Sequence, residues 1–290
     1  MKRPAADAHE TPGTGGAPHF GKGRPPGHDP SRPADVAMAR FVLEAQFHLL
    51  ERALAAWPRR DAALLDVNCG TGALLPFLWA CGFEVDAVEE DAAARARAHA
   101  RCPSAAIMAG RDDGLPVEDD AYDWVLLHLQ EPRRLGPALA EARRVARRGL
   151  AVTFWNRHSL AGLCARLART HLPGPATSWW EVRGALRRLG IGPGRTASLS
   201  VLAAPMNTWR KASPLAACNH WLTELPLGAW GVFRCFLGGG GSVTPLALRL
   251  GARLRRGMDE RLGAPEPALE YGRKSFSARA GDCGPEGRTP

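Results

Sequence analysis

The residues with the clearest chemical signature form a short turn that contains glycines and follows a buried apolar strand. The segment Leu64–Gly72 reads LLDVNCGTG, so that the acid Asp66 precedes a bend containing Gly70 and Gly72. Glycines in such a bend let a ligand approach the backbone closely, and the amides that open the next helix face that ligand. The segment therefore predicts a binding site for a small molecule.

A second acid closes the next predicted strand, about 20 residues further along the chain. That strand lies in the segment GFEVDAVEED, which contains Glu89 and Glu90. Ligands of open α/β sheets bind beyond the carboxyl ends of the strands, and a carboxylate there can accept both hydrogen bonds of a ribose diol. This spacing also occurs in dinucleotide-binding enzymes, so the glycines and the acid alone do not identify the ligand.

The elements that must position these residues alternate between strands and helices. A helix with one apolar stripe is predicted from near Ala34 to Pro58, and the capping box that begins at Ser178 predicts another that ends at Gly190. Strands are predicted at 64–67, 83–88, 105–108, 122–127, 150–155, 196–203 and 229–236, with intervening helices to about 81, over 91–101 and over 135–147. This order predicts an α/β fold, a Rossmann-like seven-stranded and mostly parallel sheet with helices on both faces.

Composition divides the chain into one globular domain and two tails. Residues 1–32 are rich in Pro, Gly and His, and we predict that they are disordered. Residues 33–237 form the predicted domain, in which 205–227 is an apolar, Trp-containing insertion that we expect to be helical and to serve as a lid. Residues 238–290 follow as a flexible tail rich in Arg, Gly and Pro.

Charge and cysteine content narrow the class of partner. The net charge is +9, but the segments 1–33 and 239–290 hold +5 of it, so we do not expect a nucleic acid as the partner. The seven cysteines form no CxxC pair, which predicts reduced thiols and no metal site. Without a secretory leader pattern or an apolar run of about 18 residues, we expect a cytoplasmic protein with no stable membrane insertion.

The motifs resemble those of the class I S-adenosylmethionine-dependent methyltransferases. LLDVNCGTG is similar to the first motif of that family, with Asp66 as its acid, Gly70 and Gly72 as its second and third glycines, and Asn68 in place of the first. GFEVDAVEED, AGRDDGLPVEDDAYDWVLL and LAEARRVARRGLAVTF resemble the segments that follow. Within that family, the motifs are similar to those of the broad group of small bacterial methyltransferases that resemble the enzymes of quinone biosynthesis.

The resemblance implies S-adenosyl-L-methionine as the cofactor and a set of residues that bind it. Dinucleotide-binding enzymes would carry a glycine where this chain has Leu75. Glu89 would bind the ribose, and Asp112 or Asp113 would face the adenine amino group. The remaining expected cofactor-binding residues are Asp66, Asn68, Cys69, Gly70, Thr71, Gly72 and His128.

Methyl transfer from a sulfonium is an in-line displacement that requires alignment more than covalent catalysis. A general base is needed only when the acceptor must lose a proton. His128, at the end of the fourth strand, is the candidate base, and the alternative is that its ring only lines the pocket. Three polar residues follow strand five, namely Asn156, Arg157 and His158. They either lie on the rim of the pocket or form a turn and a cap before the next helix. Four tryptophans either cover the acceptor or pack helices on the sheet, namely Trp179, Trp180, Trp209 and Trp221.

The sequence also bears on the methyl acceptor. Enzymes that methylate exocyclic base amines or protein amides resemble one another in an Asn/Asp-Pro-Pro-aromatic segment, whereas this chain has His128-Leu129-Gln130-Glu131-Pro132. We therefore expect methylation of an oxygen, carbon or sulfur atom of a small molecule. Two other hypotheses stay open, a catalytically silent cofactor-binding protein of the same fold and an RNA methyltransferase.

Overall fold

The computed structural model of the protein describes residues 33–238, which contain one α/β sheet covered by helices. The predicted tail 1–32 and, apart from Gly238, the predicted tail 238–290 lie outside the described residues. The helices of the described part are Pro33–Leu54 (α1), Leu75–Ala80 (α2), Ala92–Arg101 (α3), Leu135–Val145 (α4), Leu160–Leu167 (α5), Trp179–Arg188 (α6) and Ala216–Asn219 (α7).

Eight strands form a single sheet within these residues. They are Ala63–Val67 (β1), Glu84–Glu89 (β2), Ile107–Ala109 (β3), Tyr122–His128 (β4), Ala146–Asn156 (β5), Ala176–Thr177 (β6), Thr196–Val201 (β7) and Trp230–Phe236 (β8). Seven of them follow the order β3-β2-β1-β4-β5-β8-β7, and the two-residue β6 pairs with the end of β5. Strand β8 runs antiparallel to both of its neighbours, while the other pairs are parallel. The predicted fold is confirmed, with β6 as an addition to the seven expected strands.

The apolar core lies on both faces of the sheet because successive strand residues point to opposite sides. In β1, Leu64 belongs to the cluster that also holds α1, α2 and α3, whereas Leu65 belongs to the cluster under α4 and α6. Trp57 stacks on Trp124 with ring centroids 4.5 Å apart and closes the first cluster at the start of the strands. The opposite ends of β1, β2 and β4 are thereby left to form the ligand-binding edge.

Several element boundaries differ from the predictions, and two of the differences have a clear structural cause. Helix α4 ends at Val145 and β5 begins at Ala146 without a loop, because β4 already pairs there, Tyr122 with Ala146. Strand β7 ends at Val201, since Leu202 adopts a left-handed φ of 62° that breaks the extended backbone.

The insertion 205–227 is mostly turns rather than helical, so this expectation is wrong. Its regular structure is a 3-10 turn at Met206–Thr208 and the four-residue helix α7. Three prolines, Pro205, Pro214 and Pro226, interrupt the segment, and each removes a backbone donor that a helix requires. The segment packs on α1 instead, where His220 meets the ring of Phe41 at 4.6 Å and Lys211 pairs with Glu44 at 3.0 Å.

Candidate functional site

In the turn after β1, every second residue has a left-handed backbone conformation. Asn68, Gly70 and Gly72 all have positive φ, at 60°, 59° and 70°. Glycine adopts this region freely, and asparagine does so more readily than most other residues. The sequence therefore supports the bend even though an asparagine stands first. The turn is held to β2 because the Asn68 N–H donates to the carbonyl of Val88 at 2.8 Å.

Gly72 is required by space as well as by conformation. A Cβ added there would lie 2.9 Å from the Cα of Ala98 in α3, closer than side chains tolerate. The Arg101 guanidinium, one turn further along α3, donates to the carbonyl of Thr71 at 2.8 Å. Helix α3 thus fixes the turn from below and keeps its other side open to the crevice.

Glu89 lies beside this turn at the end of β2. One carboxylate oxygen accepts the Gly70 N–H at 2.8 Å, and the other accepts the Asp91 N–H at 3.0 Å. The carboxylate is half-buried. The acid and the glycine turn predicted from the sequence are therefore in direct contact, and each oxygen keeps a lone pair for a further donor.

Asn68 links the turn to the loop after β3. Its amide nitrogen donates to Asp112 Oδ2 at 3.0 Å and to the backbone carbonyl of His128 at 2.8 Å. Asp112 is buried, and its second oxygen accepts from Arg134 at 3.0 Å. Asp113 is less enclosed and pairs with Arg111 on the surface. Of the two expected adenine-side acids, Asp112 is thus the one tied to the turn.

His128 lies between an acid and a hydroxyl. Its Nε2 atom is 2.9 Å from Asp66 Oδ1, although the contact is too bent for a hydrogen bond, and its Nδ1 atom is 2.7 Å from the Thr153 hydroxyl oxygen. Asp66 is fully buried, and neither of its oxygens has a hydrogen-bond partner among the described residues. The three side chains join β1, β4 and β5, which are adjacent in the sheet.

A crevice opens beside these residues, and its wall combines predicted and unpredicted positions. The predicted residues that line it are Asn68, Cys69, Gly70, Thr71 and His128. Helix α1 contributes Leu43 and Gln46, which sequence reasoning missed, although a glutamine within an apolar helical stripe was a usable signal. The other lining residues are Ala73, Leu74, Leu129, Gln130, Thr153, Phe154, Trp155, Gly174, Pro175 and Trp230. Glu89, Asp112 and Asp113 lie outside this lining.

Cys69 is part of the crevice wall but has an inert thiol. Burial, together with the nearby carboxylates of Asp66 and Glu89, raises the pKa of the Cys69 thiol far above its ordinary value. A thiol that stays protonated is a poor nucleophile. The residue therefore serves as a small apolar group in the turn.

The residues after β5 hold local structure together. The Asn156 amide donates to the carbonyl of Pro226 at 2.9 Å, and its Oδ1 accepts the His158 N–H at 3.2 Å. Arg157 pairs with Glu181 of the α6 capping box. None of these three post-β5 residues lines the crevice.

The four candidate tryptophans are likewise absent from the crevice wall. Trp179 packs on Phe154 at 5.7 Å, and Trp209 stacks on Trp155 at 6.1 Å. Trp180 and Trp221 are exposed, at 58% and 71% of their surface. The tryptophans that do line the crevice are Trp155 and Trp230, which the sequence did not single out as cover.

Comparison with known proteins agrees with this geometry. Residues 64–149, from β1 to the start of β5, match the family model described as a methyltransferase domain. Over these residues, the chain is similar to methyltransferases. The resemblance predicted from the motifs is therefore confirmed, and no match was found among curated proteins.

Solved structures of methyltransferases share this fold at low sequence identity. An S-adenosylmethionine-dependent methyltransferase from Thermotoga maritima has 18% identity and a TM-score of 0.54 over 69% of this chain and 91% of its own. Magnesium protoporphyrin IX methyltransferase from Synechocystis, solved with S-adenosylhomocysteine, has 12% identity and a TM-score of 0.53 over 73% and 90%. The cofactor expected from the sequence, S-adenosyl-L-methionine, is the one that methyltransferases of this fold use.

No helix in residues 33–238 combines the length and apolarity that crossing a bilayer requires. The same residues hold no group of three or more His, Cys, Asp or Glu side chains arranged to bind a metal ion.

Proposed function

We propose that the protein transfers a methyl group from S-adenosyl-L-methionine to an oxygen, carbon or sulfur atom of a small molecule. The observation that carries the proposal is the contact between the Gly70 amide and the Glu89 carboxylate. It joins a ribose-binding acid to a turn that leaves its backbone open. Asn68, with its side chain on Asp112, extends the same surface toward the adenine side.

The charge of the site supports a cationic ligand. Asp66 is a fully buried carboxylate without a hydrogen bond among the described residues, and it lies directly before the turn. In a medium of low dielectric constant, such a charge acts over several ångströms. S-adenosylmethionine carries a positive sulfonium and a positive ammonium group, whereas a dinucleotide would bring two negative phosphates to the same turn. Asp66 therefore favours the sulfonium cofactor.

When it is bound, the cofactor supplies an electrophilic methyl group on a positively charged sulfur with a neutral leaving group. In the transfer, the acceptor atom forms the new bond to the methyl carbon while the old carbon–sulfur bond breaks and its electron pair stays on sulfur. The task left to the protein is to align the acceptor in a dry crevice. The apolar wall, which includes Leu129, Phe154 and Trp155, excludes water from that crevice.

For an acceptor that carries a hydroxyl or thiol, we infer that the proton which the acceptor loses passes through Thr153 to His128. Thr153 lines the crevice, and its hydroxyl can take the acceptor proton while passing its own to Nδ1 of His128. The imidazolium that results is stabilised by Asp66, 2.9 Å from Nε2. In this scheme His128 acts through Thr153, because Asp66 and Thr153 occupy the neighbourhood of both ring nitrogens. A carbon acceptor that is already nucleophilic would use the crevice alone.

The test of cofactor binding is a matched pair of substitutions in β2. Glu89→Gln should weaken S-adenosylhomocysteine binding about 10- to 100-fold in isothermal titration, as expected for a hydrogen bond to a charged group. Glu84→Gln changes the same residue type at the exposed, opposite end of that strand and should leave the affinity unchanged. Equal affinity of the two variants would remove Glu89 from the site.

The same titration separates the alternative functions. Wild-type affinity weaker than about millimolar would favour the catalytically silent hypothesis. An RNA methyltransferase would bind total RNA with an affinity that falls steeply as salt rises. Absent or salt-insensitive RNA binding, together with tight S-adenosylhomocysteine binding, is the result that we expect.

A further inference from the structure

Helix α1 places one polar side chain in the crevice without a partner. Gln46 is only 2% exposed and lines the crevice wall. Throughout residues 33–238, none of the hydrogen bonds involves its carboxamide. A carboxamide has two donors and an acceptor to satisfy, so this arrangement leaves its full hydrogen-bonding capacity to whatever fills the crevice.

Gln46 cannot reach bulk water by a rotation of the helix. Its neighbours on the same side of α1, Val42, Ala45 and Leu49, are buried in the core and would become exposed. The carbonyl of Ala53 also accepts a hydrogen bond from Arg234 of β8 at 2.8 Å, which fixes the end of the helix. Folding therefore holds the carboxamide at the crevice wall, where its hydrogen-bond partner must come from the crevice itself.

The rest of the crevice indicates which ligand would satisfy that carboxamide. Its wall contains no Lys or Arg among the described residues, and the buried carboxylate of Asp66 lies next to it, so an anionic acceptor would be buried without a counter-ion. Two aromatic side chains, Trp155 and Trp230, lie along the wall and can pack against a ring. A hydroxyl group both donates and accepts, which matches the carboxamide of Gln46.

We propose that Gln46 binds a hydroxyl group of the methyl acceptor and that the acceptor is a hydroxylated aromatic molecule without a negative charge. This inference rests on the proposed methyl transfer, because it identifies the bound molecule as the methyl acceptor. The binding itself can be measured separately from methyl transfer. Gln46 is then a specificity residue contributed by α1, which lies outside the matched methyltransferase domain of residues 64–149.

The experiment uses the full chain and three probes of one shape, 2-naphthol, 2-methylnaphthalene and 2-naphthoate. Binding is followed by tryptophan fluorescence with and without saturating S-adenosylhomocysteine. The wild type should bind 2-naphthol most tightly. Gln46→Leu should weaken 2-naphthol about 3- to 10-fold, the worth of one neutral hydrogen bond, and leave 2-methylnaphthalene unchanged. His48→Leu, on the exposed side of the same helix, is the control that should behave like the wild type.

Thermal unfolding gives a readout that a purely structural role would move the other way. Replacing a carboxamide that makes no hydrogen bond within the fold with an apolar group of similar size should leave Tm unchanged or raise it by up to about 6 °C. A glutamine that stabilised the fold would instead lower Tm on replacement. The affinity for S-adenosylhomocysteine should be the same in Gln46→Leu and in the wild type. If the wild type did not bind S-adenosylhomocysteine at all, the methyl-transfer proposal would be refuted, but the comparison of the three probes would still test the role of Gln46.

Three results would overturn the inference. The first is an unchanged affinity of Gln46→Leu for 2-naphthol. The second is wild-type binding of 2-naphthoate as tight as that of 2-naphthol, which would mean that the crevice accepts a charge. The third is the absence of binding for all three probes in the presence and absence of S-adenosylhomocysteine, which would exclude the proposed acceptor class.

Discussion

Replacing Asn68 with glycine restores the residue that the methyltransferase motif usually has, and we expect it to destabilise this protein. The reason is that the amide of Asn68 uses both of its donors. One goes to the buried carboxylate of Asp112 at 3.0 Å, and the other goes to the carbonyl of His128 at 2.8 Å. Glycine removes both bonds and leaves Asp112 with Arg134 as its remaining side-chain donor.

The magnitude follows from three contributions to the free energy of unfolding. The bond to the Asp112 carboxylate is worth about 1.5–3 kcal/mol, and the neutral bond to the His128 carbonyl about 0.5–1.5 kcal/mol. Against these, glycine relieves the left-handed φ of 60° at position 68, a gain of about 1 kcal/mol at most because asparagine already tolerates this region. The net effect of Asn68→Gly is a loss of about 1–4.5 kcal/mol.

Urea denaturation followed by circular dichroism measures this difference directly, and the thermal midpoint should fall by about 2–18 °C. Asn68→Ala is the matched comparison, because it loses the same two bonds and also places a Cβ in the left-handed region. The expected order of stability is wild type, then glycine, then alanine. A glycine variant as stable as the wild type would refute the reasoning, since it would mean that the link between the turn and Asp112 contributes nothing.

Three further predictions concern the turn, a helix cap and a thiol. Gly72→Ala should lower the free energy of unfolding by about 2 kcal/mol or more, because the backbone at Gly72 is left-handed and the new Cβ would lie 2.9 Å from the α3 backbone. Gly114→Ala is the control in urea denaturation, since a Cβ at Gly114 has nothing within 4 Å. Ser178→Ala should cost about 1 kcal/mol through loss of the α6 capping box, and an unchanged urea midpoint would contradict this. Because burial raises the pKa of the Cys69 thiol, its alkylation by iodoacetamide at pH 8 should be much slower than that of the half-buried Cys218, with peptide mass spectrometry as the measurement. Equal rates would contradict the inert role of Cys69.

Much of the fold follows from local patterns in the chain. Alternating strands and helices predicted the order of elements and the parallel pairing of β1 with its neighbours, because crossover connections permit few other arrangements. The insertion 205–227 does not follow such patterns, because its apolar residues favour a helix whereas its prolines prevent one. Apolar content indicates burial, but it does not decide the secondary structure of a short segment.

The sequence by itself determined the chemistry of the turn and the acid, because motif residues on adjacent parallel strands must meet at the same sheet edge. The tertiary structure decided what surrounds them. In the tertiary structure Thr153 contacts His128, Asn68 donates a hydrogen bond to Asp112, and Gln46 of α1 lines the crevice. These contacts join residues far apart in the chain, through packing of a helix on a sheet, and no local spacing encodes such distances.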